Sequence, residues 1–203
     1  MKLYVVRHGE SVLNRNKCFG GWAPTPLTDK GIADAQKAKA ELKAIHFDRV
    51  YSSDLLRAVQ TAQVVLPGCQ PEVRENLREL SVGRFEARPV EECTRLYGDV
   101  CVNARKLRDY TAVGGESHQM QYERTATFMR EIEQLKDCEN VAVFCHEGTI
   151  KCMISYVLGT MVNPNSLIHD NGAFSIFSFS TRWHLDSWNM HRLVDEPTHT
   201  CIE

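Results

Sequence analysis

The stretch LYVVRHG carries a short apolar run straight into Arg7, His8 and Gly9. Residues of the same two chemical types recur at comparable places. Arg57 stands in the first turn or so of a helical stretch that follows the run RVYSS, and His146 directly follows NVAVFC. Arginine's planar fork suits phosphate oxygens better than the point charge of lysine does. A histidine held beside such an anion can attack phosphorus with its neutral imidazole. Cationic side chains and a second histidine then balance charge on the equatorial oxygens, so this route asks for no metal and no cofactor. A carboxylic acid must protonate the leaving alcohol and later deprotonate the attacking water. Taken singly, each residue has an ordinary alternative: a solvated strand-end arginine, a satisfied loop histidine, a surface charge on a helix.

Whether these side chains meet depends on the elements that carry them. Residues 2–7, 49–53 and 140–145 read as short buried strands. TDKGIADAQKAKAELK reads as a helix capped by Thr28, with an apolar stripe of Ile32, Ala35, Ala38 and Leu42. Residues 54–66 read as a second helix capped by Ser52 or Ser53, 72–80 as extended, 89–110 as helical and peripheral, and 117–135 as a further helix. HEGTIKCMISYVLG runs into another helix, and the two apolar runs joined near 180–182 suggest a late hairpin. Alternation of strand and helix predicts an α/β fold, a three-layer sandwich whose mainly parallel central sheet is flanked by helices. In such sheets ligands bind beyond the carboxyl ends of the strands. Arg7, His8, Arg57 and His146 all fall on that edge.

Bulk properties leave this reading open and narrow the others. The chain has 203 residues, 43% hydrophobic and 25% charged, with a formal net charge of −2. That suits one domain, residues 1–203, and no global field favours nucleic acid. No stretch approaches the ~18 apolar residues of a membrane span, and the N-terminal apolar run is too short for a secretory signal. The eight cysteines are scattered singly, with no Cys-x-x-Cys pair. Reduced thiols in a cytoplasmic protein are expected, without a structural metal. Cys145 and His146 are chain neighbours that point to opposite faces of a strand, so Cys145 reads as core. Tyr122, Phe128, Met129 and Tyr156 read as core at helical spacing. His46, His184, His191 and His199 default to surface or structural roles; His118, after GGES, and His169, before a turn near the sheet edge, could reach the pocket, with structural roles preferred.

Five segments carry a family resemblance. LYVVRHGESVLNRN resembles the Arg-His-Gly signature of the histidine phosphatase superfamily, with its phosphoglycerate mutase-like fold. SSDLLRAVQTA, LRELSVGRFEA, GGES and VAVFCHEGTIK are similar to further motifs of that family, in family order, from residue 3 to about 151. The resemblance implies that His8 is the nucleophile, that Arg7, Arg57 and His146 bind the phosphoryl oxygens, and that Asn14 adds a contact. It implies that Glu79, rather than nearby Glu75, is proton donor and then base. It also implies that Gly20 and Gly21 border the substrate and that Glu116 and Ser117 line the pocket.

Two positions depart from the pattern. Many members have glycine where Glu147 and Ala87 stand; a carboxylate at 147 disfavours very acidic substrates. FGGWAPTPLTDKG, with Trp22, resembles the substrate loop of cofactor-dependent phosphoglycerate mutases. The chain is short for that subfamily, however, and lacks the basic stretch expected after the proton-donor segment. The resemblance therefore implies the phosphatase branch: hydrolysis of a small phosphomonoester, with no nucleic acid or membrane partner and compatibility with a homodimer. The alternatives are mutase-type phosphoryl transfer and a non-catalytic phospholigand-binding protein. Such a binder could dispense with His8 or Glu79, and both are present.

Overall fold

The computed structural model describes residues 1–193. The expectation of an irregular stretch over the last ten residues, including His199 and Cys201, lies outside the described residues. Strands β1 (Lys2–Arg7), β2 (Arg49–Ser52), β3 (Glu72–Val73), β4 (Asn140–Cys145), β5 (Phe174–Phe179) and β6 (Trp183–Met190) form one sheet in the order β3-β2-β4-β1-β5-β6. β1, β2, β3 and β4 pair in parallel; β5 runs antiparallel to β1, and β6 pairs antiparallel with β5 as the late hairpin.

Alternation along β1 and β4 explains the layers. Leu3, Val5, Val141, Val143 and Cys145 face one core, where Phe128, Met129 and Ile132 of α6 (His118–Glu133) and Ile150 and Met153 of α7 (Glu147–Leu158) cover them. Tyr4, Val6, Ala142 and Phe144 face the other, under Ala35, Ala38 and Leu42 of α2 (Asp29–Leu42) and Ala62 and Val65 of α3 (Leu56–Val65). Each large side chain buried this way contributes about 1.5–3 kcal/mol. Cys145 is fully buried, as core. Tyr122 and Tyr156 are only partly buried, in contrast to Phe128 and Met129.

Three local expectations need correction. Ile32 is 39% exposed, because the buried face of α2 runs through Gly31, Asp34, Ala35, Ala38 and Leu42 and leaves residue 32 to one side of it. α3 begins at Leu56 with no side-chain cap; the Ser53 hydroxyl accepts from Leu55 N–H just ahead of the helix instead. Residues 89–110 are helical, as α4 (Val90–Tyr97) and α5 (Asp99–Leu107), but not merely peripheral. Cys93, Cys101 and Ala104 join Phe19, Leu80, Val82 and Phe85 in a third core. That core ties the loop after β1 to the segment around Glu79. The loop itself contains a short helix, α1 (Val12–Arg15).

One close approach sets the start of the loop. A Cβ added to Gly9 would meet the Gly31 carbonyl oxygen at 2.1 Å, and one on Gly31 would meet the Glu10 oxygen at 2.0 Å. The glycine after His8 thus lets the loop lie against the first turn of α2.

Candidate active site

Sheet register brings the two histidines to one height. Arg7 pairs with Cys145 across the parallel β1–β4 ladder, so His8 and His146 emerge together, one residue beyond the edge. Their ring centroids are 5.1 Å apart. Ser52 pairs with Phe144, which brings Ser53 beside them; its hydroxyl lies 2.9 Å from His146 Nε2. The Ser53 hydroxyl, which accepts from Leu55 N–H, has its own proton to donate to Nε2. With that donation the His146 proton sits on Nδ1, which is buried without a partner.

His8 is assigned the same way. Its Nδ1 donates to Gly9 O at 2.7 Å, leaving the lone pair on Nε2, which accepts from Arg57 Nε at 3.2 Å. Arg57 is 3% exposed, and its terminal nitrogens donate to Gly21 O at 2.8 Å and Ala23 O at 3.3 Å. Burial lowers its guanidinium to about 10, still cationic at neutral pH. Arg7 donates to the His169 carbonyl and lies 3.1 Å from Glu147 Oε2, while its Nε is buried without a partner. Burial first, then Arg57, His146 and Arg7, push the His8 imidazole well below its ordinary range; burial first, then Arg57, Arg124 and Arg7, do the same to His146. Both rings are therefore neutral at pH 7, the state in which a nitrogen lone pair can attack.

Glu79 stands at the N-terminus of α7. Its carboxylate accepts from Leu80 N–H at 2.7 Å, Gln121 Nε2 at 3.1 Å and Gly148 N–H at 3.2 Å, and lies 3.7 Å from Arg108 Nη2. A Cβ on residue 148 would sit 2.2 Å from Glu79 Oε1, so glycine there admits the carboxylate. Burial pushes the Glu79 carboxyl up, but Arg108, the two N–H groups and the Gln121 amide outweigh it and hold it at about 2. Glu75 is exposed and pairs with Arg78 instead.

The remaining expected contacts are placed differently. Gly21 accepts from the Arg57 guanidinium through its carbonyl, while the Gly20 carbonyl accepts from Ala23 N–H within the loop. Asn14 is exposed, and its Oδ1 accepts from the Ser11 N–H and hydroxyl in the capping box of α1. Glu116 and Ser117, expected to line the pocket, serve the frame instead. Ser117 caps α6 through Met120 N–H, and Glu116 pairs with Arg124 at 2.9 Å and accepts from Ser81 N–H. Arg124 also donates to the carbonyls of Asn76, Arg78 and Glu79, and Trp22 Nε1 donates to Glu79 O at 2.7 Å. Sequence reasoning missed Ser53, Arg108, Gln121 and Arg124, which no short motif marks. His169 bonds Ser175 with its ring, and His118 lies beside Arg108 and Glu79. Among the described residues, no group of three or more His, Cys, Asp or Glu side chains could hold a metal ion, and no helix is long and apolar enough to cross a membrane.

A profile of the histidine phosphatase superfamily (branch 1) matches residues 3–191. The chain belongs to that family. It is 32% identical over 164 residues to an adenosylcobalamin/alpha-ribazole phosphatase of Salmonella typhimurium, covering 78% of this chain and 80% of the relative. It is 31% identical over 206 residues to a 2,3-bisphosphoglycerate-dependent phosphoglycerate mutase of Cytophaga hutchinsonii, covering 96% and 95%. The crystal structure of the alpha-ribazole phosphatase from Shigella flexneri superposes with a TM-score of 0.85 at 26% identity, covering 97% of this chain and all (100%) of that one. The α/β sandwich with its mainly parallel sheet is thus the phosphoglycerate mutase-like fold of the histidine phosphatases.

The buried groups of this family member predict its acid response. Burial, with Arg108, holds His118 at about 4; burial, with Arg7, holds His169 at about 3. Both lie below the ordinary 6.5, so the unfolded chain binds protons first. Their contribution is complete above pH 6.5 and is lost as pH falls toward the folded values; that of Glu79 is complete above 4.5 and is lost toward 2. The urea midpoint is expected to fall steadily from pH 7 to pH 4. A midpoint that stays level over that range would contradict the assignment of neutral buried imidazoles.

Proposed function

We propose that the protein hydrolyses small phosphomonoesters through a phosphohistidine on His8. The observation that carries this reading is the pair of imidazoles 5.1 Å apart, with two buried donors, Arg7 Nε and His146 Nδ1, left without partners. Buried donors are rarely left unpaired, and a tetrahedral oxyanion against His8 Nε2 would satisfy them. Arg7, Arg57 and His146 bind the phosphoryl oxygens, with Asn14 as an additional contact through its amide NH2, and Gly20 and Gly21 border the substrate.

The steps follow from the side chains. Neutral His8 Nε2 attacks phosphorus while the Nδ1–H stays on Gly9 O and stabilises the cationic phosphoimidazole. The ester P–O bond breaks, and Glu79 delivers a proton to the leaving oxygen. In the empty site Glu79 is ionised; a phosphoryl dianion beside Arg57 cancels part of the positive field around it and lets it take up that proton. Water then attacks the phosphohistidine, Glu79 accepts its proton, and the P–N bond breaks to release phosphate and neutral His8. Residues 1–203 act as one domain in this chemistry. A cytoplasmic location is in keeping with the seven described cysteines, all unbonded.

A mutase is the second reading, favoured by the Cytophaga relative and by Trp22 against the Glu79 segment. Two assays separate the readings. With excess chelator, para-nitrophenyl phosphate is expected to turn over; phosphate binding without turnover would favour a binding protein. Supplied with 3-phosphoglycerate and a trace of 2,3-bisphosphoglycerate, the protein should form no 2-phosphoglycerate. Isomerisation without phosphate release would establish the mutase.

A further inference from the structure

Glu147 joins two cations beside the imidazole pair. It opens α7 directly after His146, one Oε 3.1 Å from Arg7 and the other 2.5 Å from Lys151 Nζ. The Lys151 side chain is only 6% exposed, yet that of Glu147 is 31% exposed. Glu147 thus sits between two more deeply buried cations and is the most exposed of the three side chains.

The other charges around the site are already matched. Arg108 faces Glu79, and Arg57 feels both Glu79 and Glu86. Arg124 is taken up by Glu116. Four cations (Arg7, Arg57, Arg108 and Lys151) therefore stand among three carboxylates (Glu79, Glu86 and Glu147), while the imidazoles are neutral. A phosphoryl dianion alone overdraws this balance. An anion on the alcohol side would find both cations beside Glu147 already paired with its carboxylate, and the charge of the phosphoryl-filled site already negative.

We propose that Glu147 is a specificity-determining residue that restricts the protein to phosphomonoesters of uncharged or cationic alcohols. The proposal rests on the hydrolase reading above and goes beyond it by fixing the charge class of the leaving group. Glu147 acts by charge on the substrate, in addition to its tie to Arg7.

The test compares kcat/KM for three esters: glycerol 2-phosphate (neutral alcohol), phosphoethanolamine (cationic) and 3-phosphoglycerate (anionic). The native protein is expected to prefer the first two over the third by roughly tenfold or more, the effect of one charge at close range in a partly screened site. In Glu147→Gln, which also frees Lys151, the ratio of 3-phosphoglycerate to glycerol 2-phosphate should rise by about the same factor. Glu147→Asp, which keeps the charge, should retain the native order. A native protein that hydrolyses 3-phosphoglycerate as well as glycerol 2-phosphate overturns the proposal. So does a Glu147→Gln variant that slows on all three esters with their ratios unchanged, since Glu147 would then serve Arg7 alone. If the native protein hydrolyses none of the three, nor para-nitrophenyl phosphate, the hydrolase reading itself fails.

Discussion

His8→Ala is expected to lower turnover by on the order of 10⁴-fold or more, the scale seen when a covalent nucleophile is removed. The geometry makes the prediction specific to one atom. Nδ1 is committed to Gly9 O, so the phosphoryl group must arrive on Nε2. Brief incubation of the native protein with substrate, followed by an alkaline quench, should therefore leave an acid-labile phosphohistidine. Its ³¹P signal should belong to the Nε2 isomer alone, and it should be missing from His8→Ala. The replacement removes a side chain that is 4% exposed, so far-UV circular dichroism must accompany the assay to show that the chain still folds. Residual turnover near the native rate, or phosphate on another residue or on Nδ1, would rule out the proposed nucleophile.

Glu79→Gln should cost about 10²–10⁴-fold on an alkyl ester, the usual worth of positioned acid–base help. On para-nitrophenyl phosphate the first step should suffer far less, because nitrophenolate leaves without a proton. The second step still needs a base for water, so phosphoenzyme should accumulate and nitrophenolate should appear in a burst. The amide is nearly isosteric, but it replaces an acceptor that takes hydrogen bonds from Leu80, Gly148 and Gln121 and faces Arg108. Some local rearrangement follows, and it would slow both esters alike. The leaving-group dependence is what separates a proton-transfer role from a structural one. Equal losses on both esters, without a burst, would remove Glu79 from the chemistry and leave it as an anchor for α7.

Much of this was legible in the residues. The buried runs 2–7 and 140–145, each ending at a histidine or just short of one, are encoded within a handful of neighbours, since strand pattern and termination are local properties. Parallel pairing of two such runs is enough to put Arg7, His8 and His146 on one rim. The GGES segment and the cap at Thr28 are also local, and they form as their sequence suggests. What only the tertiary structure decided is everything that depends on contact between distant stretches. Arg124 reaches the carbonyls of residues 76, 78 and 79 across the packing of α6 on the Glu79 segment, and Gln121 reaches Glu79 itself. Ser53 meets His146 through sheet register. Residues 89–110 acquire a core only because Phe19 and Phe85 fold over them. The protonation states of the site belong to the same class: a histidine or glutamate has its ordinary affinity for protons in the chain, and burial among fixed guanidiniums, known only after folding, changes it.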